Sequence, residues 1–441
     1  MRVSGKIMRP LLALLILLSL FFTYSIWVSP AGRTPSLDSS TQVQSNEQNY
    51  TKATDAFLPL RGIWDLEEGH FQTNSENLLA TVQARLTEST YGQLEIVAST
   101  EEESANYYQL ANGVELNYEG TFSLAEYVKV FDIPLDLSGL NDEESISFGK
   151  IQLDFNSQKI RFLDYQKHLV YEASISTNFQ NIEDIYHQNT DRYLTMTLEN
   201  QLVPRLMQTQ NDVRLKKYSY ILTTQSYSLF RNAFFQDPEQ ARGEQDDENS
   251  RSFVSGREEL TMDEQNRLVR FSGELPTDLA DQSLYSQSFS YVSRLGTAVG
   301  NLRYFDQQDN MIYYRIFVEG YPIFSQSSKG KMIVSINPSQ NNQASHVDIE
   351  TSMDTVQVPI PAEEEAVLPS SIGMEEQLLA AGVDISQVQS YIIGYTWEDV
   401  DSGNSAYRVV ALNPEWYVKY NGQWRTFDEL LRINFVETEA S

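Results

Sequence analysis

The chain has 441 residues, with 61 Asp and Glu against 32 Lys and Arg, a net charge of −29. A body this acidic is repelled by phosphate backbones and anionic headgroups, which argues against nucleic-acid binding. A composition of 41% hydrophobic and 21% charged residues is that of a folded chain, of length for about two to four domains, and the lack of cysteine excludes disulfides, thiolate nucleophiles and cysteine-ligated metals.

In chain order, residues 1–9 form a basic tip carrying Arg2, Lys6 and Arg9. Leu11 to Val28 then runs 18 residues without a charge, close to the roughly 20 that cross a bilayer as a helix. Only Arg33 follows closely, so the positive-inside rule places the tip in the cytoplasm and the rest of the chain outside. Tyr24 and Trp27 fall at the outer end, where amphipathic rings favour the interface. A cleaved signal peptide has a core of only ~7–15 residues and a small-residue cleavage site. The run here is longer and offers only Ser29-Pro30-Ala31. Residues 10–29 are therefore read as a retained single-pass anchor in the cell membrane.

Within the anchor, Leu12, Ile16, Ser19, Thr23 and Ile26 share one face at 4-3-4-3 spacing. Small residues four apart let helices approach closely in lipid, and hydroxyls can bond across such a contact. This face is the candidate partner-binding site. The competing reading is that Ser19 and Thr23 bond back to carbonyls of their own helix.

Residues 30–50 are rich in Ser, Gln and Asn and read as a stalk. The exterior reads as α+β, divided into an N-terminal domain (51–214), a middle domain (215–345), a linker (346–370) and a C-terminal domain (371–441). In the first, helices are predicted at Ser75–Leu86, Ser123–Phe131 and Asn178–Gln188, and a three-stranded meander at Ile146–Ser176 with "NSQK" and "DYQK" turns. In the second come a helix at Gln225–Phe235, an acidic loop at 236–250, strands flanking Thr261–Asn266, a helix at Asp281–Gly296 and a hairpin at Asn301–Gly320. The third repeats helix (Ser370–Gly382) and hairpin (Tyr391–Trp424). The last two domains form a candidate duplication, with Arg315 and Arg408 in matched positions after a tyrosine.

No catalytic constellation emerges. Ser328-Lys329-Gly330-Lys331 fits S-x-x-K and Ser402-Gly403-Asn404 fits S-x-N, but the K-T-G element is missing. Asp399–Asn404 resembles a calcium loop with its glycine one place early and Val410 where the glutamate belongs. His70, His168, His187 and His346 lack metal-ligand spacing and read as ordinary core or surface histidines. The chain is expected to be no enzyme and to carry no cofactor or metal.

Four stretches together resemble the YycH family: the membrane helix ending in "YSIWVSP", "DAFLPLRGIW" (Asp55–Trp64), "SLFRNAFFQDP" (Ser228–Pro238) and the terminal "YIIGYTWE…YRVVALNPEWYVKYNGQW". The strand "GREELTMDEQNRLVRF" departs from the wording expected there. The resemblance implies an auxiliary regulator of the YycFG (WalKR) two-component system, which controls cell-wall metabolism. It also implies a YycI-like companion and contact between the membrane helix and a WalK/YycG-like sensor histidine kinase. The alternative is an extracytoplasmic module binding a wall or other extracellular ligand on a passive tether.

Overall fold

From residue 50 onward the chain forms a short helix, α1 (Ala53–Ala56), and a hairpin of β1 (Arg61–Leu66) and β2 (Gly69–Thr73). The computed structural model describes residues 50–140, 146–199, 206–245, 250–338, 344–360, 364–400 and 408–439. Residues 10–29, expected to be a membrane anchor, and the face expected on them therefore lie outside the described residues. Among the described residues no helix is long and apolar enough to cross a membrane.

The first sheet continues through helix α2 (Glu76–Thr87), β3 (Thr90–Tyr91), β4 (Glu95–Ala98), α3 (Glu101–Ala105) and the long β5 (Gly113–Ser123). Ser123 closes β5 and caps α4 (Leu124–Val130), its Oγ accepting the Glu126 N–H at 3.4 Å. The expected meander is β6 (Ser147–Asp154), β7 (Lys159–Asp164) and β8 (Leu169–Ser176). Both its turns use one device. Asp154 Oδ1 accepts the N–H groups of Asn156 and Ser157, and Asp164 Oδ1 those of Gln166 and Lys167. The residue closing each turn, Gln158 or His168, takes a positive φ. Helix α5 (Phe179–His187), capped by Asn178, leads to β9 (Leu194–Thr197) and β10 (Gln208–Thr209). The strand order is β10-β9-β2-β1-β5-β6-β7-β8-β3, with β4 beside β8.

The second sheet has 14 strands among the described residues. β11 (Val213–Lys216) pairs outside it, and β12 (Tyr218–Thr224) enters it before helix α6 (Tyr227–Phe234). The buried rings Phe230, Phe234 and Phe235 of "SLFRNAFFQDP" seat that segment against Phe271 and Tyr291. A meander follows: β13 (Arg242–Gln245), β14 (Ser250–Ser255), β15 (Glu258–Asp263) and β16 (Leu268–Glu274). The β15–β16 turn repeats the aspartate device, with Asp263 Oδ1 accepting from Gln265 and Asn266 and Arg267 at positive φ. Helix α7 (Leu284–Leu295) precedes β17 (Leu302–Gln308), β18 (Met311–Val318), β19 (Tyr321–Phe324) and β20 (Lys331–Asn337).

Residues 346–370, expected as a linker, are not one. They form β21 (His346–Ser352), β22 (Asp354–Ile360) and β23 (Glu365–Leu368). Val347, Ile349 and Val356 are buried at strand spacing, and β21 lies between β16 and β20. Pairing on both edges stabilises a stretch whose Pro-, Glu- and Asn-rich flanks read as open chain. Helix α8 (Ser371–Ala380), strands β24 (Val388–Val400), β25 (Val409–Tyr420) and β26 (Gln423–Thr426), and helix α9 (Phe427–Glu439) complete the chain. A helix followed by two paired antiparallel strands thus recurs, as α7 with β17 and β18 and as α8 with β24 and β25. The architecture is mixed α and β and sheet-rich. The pairings described are antiparallel except β19 with β24.

Residues 49–441 gather into one compact unit, and the two sheets are fastened together in it. Phe57 is fully buried among Phe122 of the first sheet and Tyr285, Phe289, Tyr304 and Tyr314 of the second region. Burying such a ring contributes about 1.5–3 kcal/mol. Arg303 on β17 is 1% exposed. Its guanidinium donates to the carbonyls of Leu58 and Pro59 and to Glu76. Gly320 has φ +82° and sits so close to Asn74 that a Cβ there would lie 1.9 Å from the Asn74 carbonyl oxygen. "DAFLPLRGIW" is thus the strap between the sheets.

Candidate functional site

Two clefts share Gln308 and Gly422 in their linings and are linked by one ion pair, Lys419 of the first with Asp306 of the second (2.9 Å). The first, about 550 Å³, is lined by β1, β5 and β6 of the first sheet and by the β24–β26 region of the second. Its floor is a buried polar cluster. Lys150 Nζ donates to Glu115 Oε2 at 2.6 Å, and Gln152 Nε2 donates to Glu115 Oε1 at 2.8 Å. Burial works against the Lys150 charge, but the Glu115 carboxylate and the Tyr165 hydroxyl outweigh it and hold that ammonium above the ordinary lysine range. On the neighbouring β1–β2 hairpin Asp65, fully buried, meets His70 Nδ1 at 2.6 Å. Burial pushes the Asp65 carboxyl up to about 7, and the hydrogen bond to Asp65 raises His70, so the pair keeps a proton to a higher pH than either free side chain. Glu119, bonded by Ser390 Oγ at 3.0 Å, is also raised by burial.

The second cleft, about 980 Å³, lies over β17, β18, β20 and the β24–β26 region. Its wall alternates cations and rings. The Arg315 guanidinium carbon lies 4.8 Å from the Phe305 ring centre and 3.9 Å from that of Phe324. Phe324 in turn stacks on Tyr417 with centroids 3.9 Å apart and inclines toward Trp424. Arg315 Nη1 donates to the Ile323 carbonyl at 2.9 Å. The bulge between Tyr304 and Asp306 sets Phe305 out of the ladder register.

Of the candidate residues singled out from sequence, Arg315, Lys329, Lys331 and Asp399 line the second cleft. Leu12, Ile16, Ser19, Thr23 and Ile26 lie outside the described residues, as does Ser402–Asn404. Ser328–Gly330 is a turn leading into β20, which Lys331 opens, and not a helix start. Ser328 Oγ donates to Glu350 at 2.7 Å and Lys329 pairs with Asp399, so neither is arranged as nucleophile and base. Among the described residues no group of three His, Asp or Glu could hold a metal ion. The matched arginines part company. Arg408 is neutralised by Asp354 at 2.6 Å, while Arg315 has rings on both sides. Lys331 was visible only as the lysine of S-x-x-K, and the buried Glu115–Lys150 pair carried no signal in the sequence, since its partners lie on strands distant along the chain.

Comparison with known proteins gives this architecture a family. The model for the N-terminal domain of YycH protein matches residues 6–191, and that for its C-terminal domain matches residues 200–434. The division between them falls near that between the two sheets. The Bacillus subtilis (strain 168) protein described as "Two-component system WalR/WalK regulatory protein YycH" is 20% identical over 442 residues, covering 94% of each chain. The crystal structure of YycH from Bacillus subtilis superposes with a TM-score of 0.65 at 16% identity, covering 86% of this chain and 97% of that one. That likeness shows the fold. With family matches spanning nearly its whole length, the chain belongs to the YycH family.

Proposed function

We propose that the chain is a non-enzymatic accessory protein, anchored in the cell membrane with its N-terminus in the cytoplasm. It regulates a WalK/YycG-like sensor histidine kinase of a cell-wall two-component system, together with a YycI-like partner. The observation that carries this reading is the correspondence to a WalR/WalK regulatory protein over 94% of each chain. The site of action is the membrane helix face Leu12, Ile16, Ser19, Thr23 and Ile26. Packing of that face against the kinase's membrane helices biases the kinase between its states, and only to the extent that the contact differs between those states. Replacing Ser19 and Thr23 with Leu keeps the helix apolar and removes its small polar edge. The expected outcome is loss of kinase co-purification and altered kinase-dependent transcription. No change in either would sink the helix-face reading.

A second reading, in which the exterior binds an extracellular ligand and the helix merely tethers it, is favoured by the size of the second cleft. Exchange for an unrelated membrane helix separates the two. Regulation survives under the tether reading and is lost under the first.

A further inference from the structure

Arg315, Arg303 and Lys331 form one rung across three strands. Arg315 is paired in register with Arg303 on β17 and with Lys331 on β20. Like charges set directly opposite one another on a sheet repel, so such a rung needs compensation. Arg303 has it, in Glu76 at 3.0 Å and two backbone carbonyls. Arg315 and Lys331 do not: among the described residues neither has a carboxylate oxygen within 4 Å. Other cations around this cleft are matched, Lys329 by Asp399 and Lys419 by Asp306. Scarcity of acids is no explanation in a chain with 61 of them. Glu350, which faces Lys331, is held instead by Arg270 and Ser328.

We infer that the second cleft binds a small ligand bearing a phosphate or carboxylate group, its anionic oxygens received by Arg315 and Lys331 and its body lying against Tyr417 and Trp424. The guanidinium is held between Phe305 and Phe324, so its orientation is set before the ligand arrives, which lowers the cost of ordering on binding. The volume of about 980 Å³ suits a small molecule. The rim carries Glu398, Asp399 and Glu429, and the whole chain is strongly acidic. A long polyanion would be repelled by that rim, whereas a compact ligand with one anionic end is accepted. Burial depresses both cations, Arg315 to about 10, and Lys331 is further depressed by the field of Arg315. A bound anion relieves both. This inference is independent of the membrane helix and stands whether or not that helix touches a kinase.

The test uses the full-length protein in detergent micelles. Thermal unfolding is followed against inorganic phosphate and, separately, acetate, with chloride making up constant ionic strength. Saturable stabilisation by at least one of the two is expected, and which one identifies the headgroup class. Lys331→Gln, a half-exposed change that leaves the fold intact, should weaken the apparent affinity roughly tenfold. Arg315→Gln should abolish the effect, and Lys129→Gln, at a lysine outside this cleft, should leave it unchanged. No stabilisation by either anion, or equal stabilisation of wild type and Lys331→Gln, would overturn the assignment.

Discussion

Lys150 in the first sheet and Arg315 in the second are both cations set beside an aromatic ring at a cleft wall, but their surroundings differ. Lys150 lies 5.7 Å from the Tyr165 ring centre and has Glu115 at 2.6 Å, with Gln152 completing the carboxylate. Arg315 has rings on two sides and one backbone carbonyl. The first cluster is closed, its charges cancelled within the fold. The second keeps an uncancelled positive charge toward the cleft. A buried pair that loses one member leaves an isolated charge, whereas a cation without a partner loses little when neutralised. The difference assigns structural duty to Lys150 and leaves Arg315 free for something from outside.

The largest effect that could break this contrast is at the first cluster. Lys150→Ala should destabilise the protein by about 3–5 kcal/mol, because Glu115 is left buried and uncompensated. Chemical denaturation measures it, and combining Lys150→Met with Glu115→Leu should restore most of the loss. If the single variant were no less stable than wild type, the closed-cluster account would fail. Gly320→Ala comes next. The backbone is in the left-handed region, and the new Cβ meets the Asn74 carbonyl oxygen, so the cost should exceed about 1 kcal/mol and loosen the contact between sheets. Hydrogen exchange at β2 and β19 should rise together. Exchange unchanged at both would detach this contact from the joining of the sheets.

A smaller, pH-dependent effect sharpens the picture of the first sheet. Asp65 and His70 are both raised in the folded state, so folding takes up protons there. Stability from this pair is complete below the unfolded carboxyl value near 3.8 and declines as pH rises toward and through about 7. Asp65→Asn should flatten that decline in thermal melts between pH 5 and 8, and an unaltered profile would remove the pair from the explanation. The smallest effect is expected at Arg315→Met, which keeps the chain between the rings and removes the charge. Stability should change by no more than about 1 kcal/mol in either direction. A loss as large as that of Lys150→Ala would erase the contrast.

Much of the fold was legible because its signals are local. The turns after Asp154, Asp164 and Asp263 each bring the aspartate and the polar residues it caps within five positions, and the caps Ser123, Asn178 and Ser283 stand directly before their helices. The strands at 346–370 were missed because their support is non-local. Val347 and Ile349 alternate as a strand should, but the neighbouring strands that hold them come from 268–274 and 331–337. The clefts were illegible for the same reason. Arg315 and Trp424 are over one hundred residues apart, and only the folded sheet brings them to one wall. The repeat of Tyr-Arg at 314–315 and 407–408 was visible, but not that Asp354 would neutralise only the second arginine.

The membrane helix is proposed as the place where regulation is exerted. Site-directed crosslinking from each position between Leu12 and Ile26 in intact membranes tests this most directly. The prediction is capture of the sensor kinase from 12, 16, 19, 23 and 26 and little from the positions between them. Capture that shows no periodicity, or none of the kinase at any position, would contradict it and leave the helix a tether.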